Sequence, residues 1–376
     1  MGFPLPSRDH AAFWGLGLVN NFTFCVFITA AEEIIKGYAG LILLCTVVPG
    51  FLSRLVLSLY AERVPYALRI AVVSVSSCFC ILVVALSSSV PVQMLALALQ
   101  ATIGALGEIS FLALTSRFSD SVVGAWASGT GASGIAGAGI YVLLREVFGL
   151  SSSQTLISCS WIPLVLIVIY QGVLVNSPSF ERIPSEDEVE TAQTAVEIEE
   201  KISTTKKEFF PTLLKTYMIP LAVVYFAEYT INEGVLGTLT TFKNNKEYEV
   251  ERIYTQLQFT YQIAVFFARS SICVVKIHAI WVLPILQLLN LVVLAFGSMF
   301  MLVPSAAVAF LIVFWEGLLG GLTYVNAFYR IKTETPAHLK EWALGTATVG
   351  DAAGISLAAI VSIWLESAIV NFQKSS

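Results

Sequence analysis

Apolar runs long enough to cross a bilayer follow one another along almost the whole chain, and this leaves few folds open. A helix spanning a hydrocarbon core of about 30 Å needs about 20 predominantly apolar residues. Eleven such runs are read, at about 11–35, 39–60, 67–88, 92–117, 122–148, 153–176, 212–240, 253–275, 279–300, 304–330 and 341–372. The last accommodates one long tilted helix or two short ones. Of 376 residues, 12% are charged, against about 25% in ordinary soluble domains. No soluble catalytic domain fits in what remains.

Basic residues give the expected orientation. With the N-terminus cytosolic, 15 of the 21 Lys and Arg residues fall on the cytosolic side and 6 on the other, as the positive-inside rule favours. An odd number of spans then places the C-terminus in the lumen or outside. No cleavable signal peptide is expected, since the first run exceeds a signal h-region and lacks a small-residue cleavage site. No myristoylation or prenylation motif is seen either, so anchoring is expected to rest on the helices. The six cysteines (Cys25, Cys45, Cys78, Cys80, Cys159 and Cys273) lie in or beside apolar runs and serve there as small hydrophobes. The sequon Asn21-Phe22-Thr23 falls inside the first helix and should carry no glycan.

The chain repeats itself. Trp126-Ala127-Ser128-Gly129-Thr130 returns as Trp342-Ala343-Leu344-Gly345-Thr346. Gly107 stands ten residues before Arg117, as Gly320 does before Arg330. Arg54 and Arg269 end two further runs at a similar offset. A direct repeat spanning six helices predicts two similar halves in one orientation, the arrangement of transporters whose site lies between the halves. Residues 1–176 would form a six-helix bundle and 212–376 a five-helix bundle. Between them, residues 177–211 hold nine acids and four basic residues, the composition of a solvated cytosolic tether with one helical stretch near 188–202. The fold expected is all-α and multi-pass, with the two-bundle architecture of the major facilitators and about eleven helices. The net charge of −5 comes mostly from the tether and implies no nucleic-acid partner. Glycines in the fifth run (Gly129, Gly131, Gly134, Gly137, Gly139) and eleventh (Gly345, Gly350, Gly354) suit close helix packing in lipid.

Carboxyls far from any loop are the candidate functional groups. Glu316 stands fourteen residues before Arg330, about 21 Å of helix rise, which puts it near the midplane. Glu228 and Glu233 sit similarly in the seventh span, Glu108 in the fourth and Asp351 in the eleventh. An ionisable group at such depth is a functional hypothesis by default. Burial favours the neutral form of a carboxyl, which lets it take and release protons between compartments. Tyr225, Glu228 and Asn232 share a helix face, as do Glu316, Gly320 and Tyr324, and each stripe is expected to face a cavity. Asn326, with Asn20-Asn21, Gln262 and Asn290, adds polar groups at membrane depth; interhelical hydrogen bonding explains any one of them equally well. Glu32 and Glu33 are expected at the interface. No basic residue is expected at the midplane: Arg54 and Arg269 are assigned to gate contacts near the cytosolic face, with Glu108 and Gly129 in the same network. A path lined by acids and amides suits a cation, a proton or a zwitterion.

Enzymatic readings fail on missing partners. Gly131-Ala132-Ser133-Gly134 matches the motif of intramembrane serine proteases, but His10, His278 and His338 all lie outside the spans. An intramembrane aspartyl protease needs two embedded aspartates, and Asp351 stands alone. No nucleotide loop, metal site or cofactor motif appears, so no cofactor or metal is expected.

Several blocks together resemble a known family. Asn20-Asn21-Phe22, Gly107-Glu108-Ile109-Ser110-Phe111-Leu112, Ser128-Gly129-Thr130-Gly131, Val224-Tyr225-Phe226-Ala227-Glu228-Tyr229 with Ile231-Asn232, Ala268-Arg269-Ser270-Ser271, and Glu316-Gly317-Leu318-Leu319-Gly320-Gly321 with Tyr324-Val325-Asn326 are similar to the battenin family of Batten disease. The resemblance covers nearly the whole chain. It implies a major-facilitator-related protein of the lysosomal or vacuolar membrane, associated with lumenal pH, basic amino acids and clearance of glycerophosphodiesters. The function expected is proton-linked transport of small polar solutes, with membrane lipids, solute and protons as partners. The alternative is a non-transporting scaffold that recruits cytosolic trafficking factors through residues 177–211.

Overall fold

Apolar runs of this length satisfy their backbone groups inside lipid only as helices, and a computed structural model of the chain is helical along the described part of every such run. It describes residues 7–30, 39–175, 204–239 and 247–375. Eleven long helices occur among these: α1 Arg8–Thr29, α2 Ala39–Tyr60, α3 Tyr66–Leu86, α4 Val90–Leu114, α5 Val122–Val142, α6 Ser152–Leu174, α7 Thr204–Gly234, α8 Glu247–Ser270, α9 Val282–Met299, α10 Ala306–Glu334 and α11 Lys340–Ser375. Local signals set several ends. Ser7 caps α1 by accepting from the His10 amide, and Ser151 with Gln154 forms a capping box ahead of α6; both satisfy otherwise orphaned amides. The last run is one helix of 36 residues.

Ten of these helices are long and apolar enough to cross a membrane. The eleventh, α8, has the length, but Gln256, Gln258, Gln262 and Arg269 dilute its apolar character. Lipid-facing positions elsewhere carry large apolar side chains such as Leu55, Val56, Phe79, Leu95, Ile285 and Trp364, all exposed. The chain is an all-α multi-pass membrane protein. Residues 204–211, placed by the sequence in the tether, are helical and run into the seventh span: Phe209 packs against the core and Lys206 pairs with Glu62, contacts that a freely solvated segment would not make. The rest of the expected tether, 177–203, lies outside the described residues, as do Glu32 and Glu33.

The sequence repeat reappears in the packing. α1 lies against α5 as α7 lies against α11, and α2 lies against α4 as α8 lies against α10. The halves then meet crosswise, α2 on α11 and α5 on α8, pairs that the same repeat interchanges. Glycine makes the close approaches possible. A Cβ at Gly129 would strike the Trp14 carbonyl on α1, and in the second half one at Gly354 would strike Ala222 and one at Gly350 the backbone of Met218 at 2.7 Å.

Apolar packing is uneven along the membrane normal. Toward the end that carries the 204–211 segment, one cluster joins both halves, with Phe13, Phe118 and Trp126 from the first and Ile272, Phe328 and Trp342 from the second. Toward the other end most of the core divides, Phe22, Ile81, Leu97 and Leu156 in one half and Val235, Leu257, Leu294 and Ile369 in the other, while Val47 of α2 and Ala359 of α11 make a small apolar contact between them. Polar contacts reinforce the joined end. Glu341 accepts from the Tyr66 hydroxyl at 2.6 Å and lies 3.3 Å from Arg117 and 4.0 Å from Arg69. Buried Lys332 donates across the interface to the carbonyls of Thr115 (2.6 Å) and Ser119. The halves are closed together on the linker side.

Candidate functional site

Between the halves, above this closure, lies a cavity of about 170 Å³. Asn20 and Asn21 of α1, Arg54 of α2, Gln100 and Glu108 of α4, Thr130 and Ser133 of α5, Tyr225 of α7, Tyr261, Gln262 and Arg269 of α8, Tyr324 of α10 and Asp351 of α11 line it. Both halves contribute, and the helices that contribute are those that meet across the repeat. Of the polar residues that lower the hydropathy of α8, Gln262 and Arg269 are turned here.

The floor is a continuous bonded layer. Arg54 forms an ion pair with Glu108. The Tyr324 hydroxyl donates to the other oxygen of Glu108 at 3.2 Å and accepts from the Trp126 indole N–H at 3.1 Å. Arg269 donates to the Thr130 hydroxyl at 2.7 Å and to the Tyr225 hydroxyl at 2.9 Å, and its guanidinium carbon lies 4.3 Å from the centre of the Tyr324 ring. Asp351 faces Glu108, Arg54 and Arg269 electrostatically. The walls therefore hold two cations and two acids. Several of their atoms have no hydrogen-bond partner, the Nε of Arg54 and of Arg269, Asp351 Oδ1, Asn20 Oδ1 and Gln100 Oε1. Buried polar atoms are normally bonded, so these shielded atoms mark polar groups beside the cavity whose bonding is incomplete in this arrangement. Backbone carbonyls and amides of the same helices stay in their own ladders.

The structure brings together some of the residues singled out by sequence and disperses others. Tyr225, Tyr324 and Asp351 line the cavity, and so do Glu108, Arg54 and Arg269. The expectation of acids and amides without a basic residue is corrected: both arginines sit at the cavity, held inward by Glu108 on one side and by Thr130 and Tyr225 on the other. Glu228 is one layer back. Its Oε1 accepts from the Tyr261 hydroxyl, which itself borders the cavity. Glu316 is fully buried inside the C-terminal bundle and away from the cavity wall. Asn232 is buried beyond it, and its backbone carbonyl accepts from Gln258 at 3.3 Å. Asn326 accepts from the Ile277 amide at 2.7 Å and so pins the α8–α9 connection. Gly129 is a packing site against Trp14. Trp126 and Tyr261 were not singled out for the site. Trp126 stood out only as part of the repeat; Tyr261 had one available signal, its place on the polar stripe of α8, one residue before Gln262 and eight before Arg269. Among the described residues no group of His, Cys, Asp and Glu is arranged to hold a metal.

Similarity to other proteins follows this architecture. The sequence model of a family described as CLN3 protein matches residues 11–209 and 181–372. Protein BTN1 of Yarrowia lipolytica is 34% identical over 377 residues, covering 97% of this chain and 95% of its own. Battenin of Canis lupus familiaris is 32% identical over 397 residues, covering 95% and 90%. Among solved structures, the major facilitator proton:xylose symporter XylE superposes with a TM-score of 0.62 at 11% identity over 97% of this chain and 92% of that one. The human organic anion transporter MFSD10 superposes with a TM-score of 0.66 at 12% identity over 99% and 97%. The fold is that of the major facilitators.

Proposed function

The chain belongs to the CLN3 protein family, and from that premise we propose that it carries small polar solutes across a lysosomal or vacuolar membrane. Transport runs by alternating access and is linked to protons, so that it contributes to lumenal pH and to amino-acid or glycerophosphodiester homeostasis. The N-terminus and linker face the cytosol and the C-terminus the lumen. The chain is a transporter and not an enzyme.

One observation carries this reading: the charged cavity lies on the interface between the repeat halves, with the joined apolar cluster and the Glu341 and Lys332 contacts between it and the linker side. A binding site at a two-bundle interface, closed at one end, is what rocking of one bundle against the other requires. The mixed lining favours a solute bearing both charges, or a neutral polar one, over a simple anion or cation. Arg54 and Glu108 with Asp351 and Arg269 then position it, and Tyr225 and Tyr324 supply hydroxyls and ring faces.

Purified protein in liposomes, offered labelled lysine and glycerophosphocholine in separate trials under an imposed pH gradient, tests the reading. At least one should be taken up in a gradient-dependent way. Metabolite profiles of isolated lysosomes or vacuoles, with and without the protein, should show the same solute changed. Absence of uptake together with unchanged profiles rejects transport of these solutes.

A further inference from the structure

The C-terminal bundle holds a second polar cluster that the cavity does not use. Glu228 on α7 and Glu316 on α10 are both buried in the same bundle. Gly320, one turn beyond Glu316, lies directly against the Glu228 carboxyl; a Cβ there would overlap it. Gln287 on α9 is fully buried, and its Nε2 lies 3.5 Å from the Glu316 carbonyl. Asn290 shares its helix face one turn on, and Asn232 lies one turn from Glu228. The unpartnered atoms of this group are Glu228 Oε2, both oxygens of Glu316, Gln287 Oε1, Asn232 Oδ1 and Asn290 Nδ2. Five are acceptors and one is a donor.

Buried polar atoms left unbonded are strongly unfavourable, and this imbalance has a definite remedy. Each proton added to a carboxylate converts an acceptor into a donor, and Gln287, whose Nε2 lies 3.5 Å from the Glu316 backbone carbonyl, carries an unpartnered amide oxygen as the candidate acceptor. The charged and titratable groups around the pair leave room for this. Tyr225 and Tyr229 lie on α7, and Tyr261 and Arg269 on α8. Arg269 is engaged with Thr130 and Tyr225; Asp351 of α11 lies at the cavity. α9 contributes no titratable residue. Among the described residues no cation hydrogen-bonds to either carboxyl, and the Tyr261 hydroxyl on Glu228 links the pair to the cavity.

We propose that Glu228 and Glu316, with Gln287 as acceptor, form a proton-binding site inside the C-terminal bundle, separate from the solute cavity and joined to it through Tyr261. This inference rests on the transport reading above for its role, while the site itself can be tested without any solute. The proton goes onto a carboxylate oxygen of the pair from the cavity side and returns by the same route, and no bond to solute is made or broken.

Infrared difference spectra of the full chain in lipid, recorded across a pH titration, read the carbonyl stretch of protonated carboxyls directly. The band of the pair, isolated as the difference between wild type and the Glu228→Gln/Glu316→Gln double variant, is expected to weaken in Glu316→Gln or in Glu228→Gln alone, each removing one of its two carboxyls. Should Glu316→Gln fail to assemble, Gln287→Leu takes the acceptor away and must shift the band. A band unchanged in every assembled variant overturns the proposal. So does displacement of the band by sodium at fixed pH, which makes the cluster a cation site. The transport arm is separate. With one proton per solute, a gradient of about one pH unit supports about ten-fold accumulation, and Glu316→Gln should abolish it while leaving solute exchange across the membrane intact. A lost band with wild-type accumulation leaves the proton site standing and rejects its role in coupling.

Discussion

Glu341 closes the linker side with three partners from the other half, and replacing it by Gln should release that closure by a calculable amount. The substitution keeps size and removes the charge that two arginines share. Tyr66 still finds an acceptor at 2.6 Å, but Arg117 at 3.3 Å and Arg69 at 4.0 Å lose their carboxylate. Hydrogen bonds to a charged group contribute about 1.5–3 kcal/mol. A quarter of the Glu341 side chain is exposed, so solvent screening keeps the figure near the lower end, about 1.5 kcal/mol. That is about a ten-fold rise in the ratio of open to closed linker side. Ile272 reports it. It is buried in the joined cluster, with its side chain against Gly124 of the other half. In an Ile272→Cys variant that also carries Cys273→Ser, thiol alkylation proceeds from the open form, so its rate follows the open population when opening is fast. Glu341→Gln should speed alkylation about ten-fold. An unchanged rate refutes the assignment of Glu341 to the closure.

Further expectations come from the packing and the cavity. Gly354→Ala should destabilise the protein by about 1–3 kcal/mol, because its new methyl meets the Ala222 backbone, whereas Gly139→Ala meets nothing within 4 Å and should be neutral or stabilising by about 0.5–1 kcal/mol; thermal unfolding in one detergent compares them, and equal losses would contradict the packing. Arg269→Lys cannot reach Thr130 and Tyr225 together with a planar fork, and solute uptake should fall about ten-fold, the equivalent of about 1.5 kcal/mol, with folding unchanged. Deleting 181–200 should preserve uptake in liposomes, and its loss would favour the tether as the functional element.

Much of the fold was legible because a bilayer reduces folding to a few strong constraints. Run length specified the helices, and Trp126-Ala127 with Trp342-Ala343 announced the repeat that organises every major helix contact. The site was less legible, since counting residues from a loop gives depth but not direction. Glu316 and Tyr324 were placed on one stripe at i and i+8; at 3.6 residues per turn they differ by about 80°. That rotation turns Tyr324 to the cavity and Glu316 into the bundle. The arginines show the same limit: sequence assigns Arg54 and Arg269 to contacts between helices near the cytosolic face, and only the tertiary placement of Glu108, Thr130 and Tyr225 shows that those contacts border the cavity.

The repeat also exposes where the two halves differ, and the difference falls at the cavity. Arg54 and Arg269 are equivalent by position, and so are Thr130 and Thr346. Arg269 donates to Thr130, yet the matching bond from Arg54 to Thr346 is not made, and the Thr346 hydroxyl is buried without a partner. The cause lies in the helix between them. Where α4 carries Glu108, the repeat puts Gly321 on α10, so Arg54 has a carboxylate to turn to and Arg269 has none. Tyr324, at the position of Phe111, then offers its ring face to Arg269, while its hydroxyl stays with Glu108 and Trp126. One half thus offers a neutralised ion pair and the other a cation held by neutral groups. Binding energy available to a carboxylate or phosphate is greater at Arg269, whose hydrogen bonds go to neutral hydroxyls, because no hydrogen-bonded ion pair has to be broken first. A symmetric scaffold therefore presents a polarised cavity, and a solute with distinguishable ends can enter it in one orientation only at full strength.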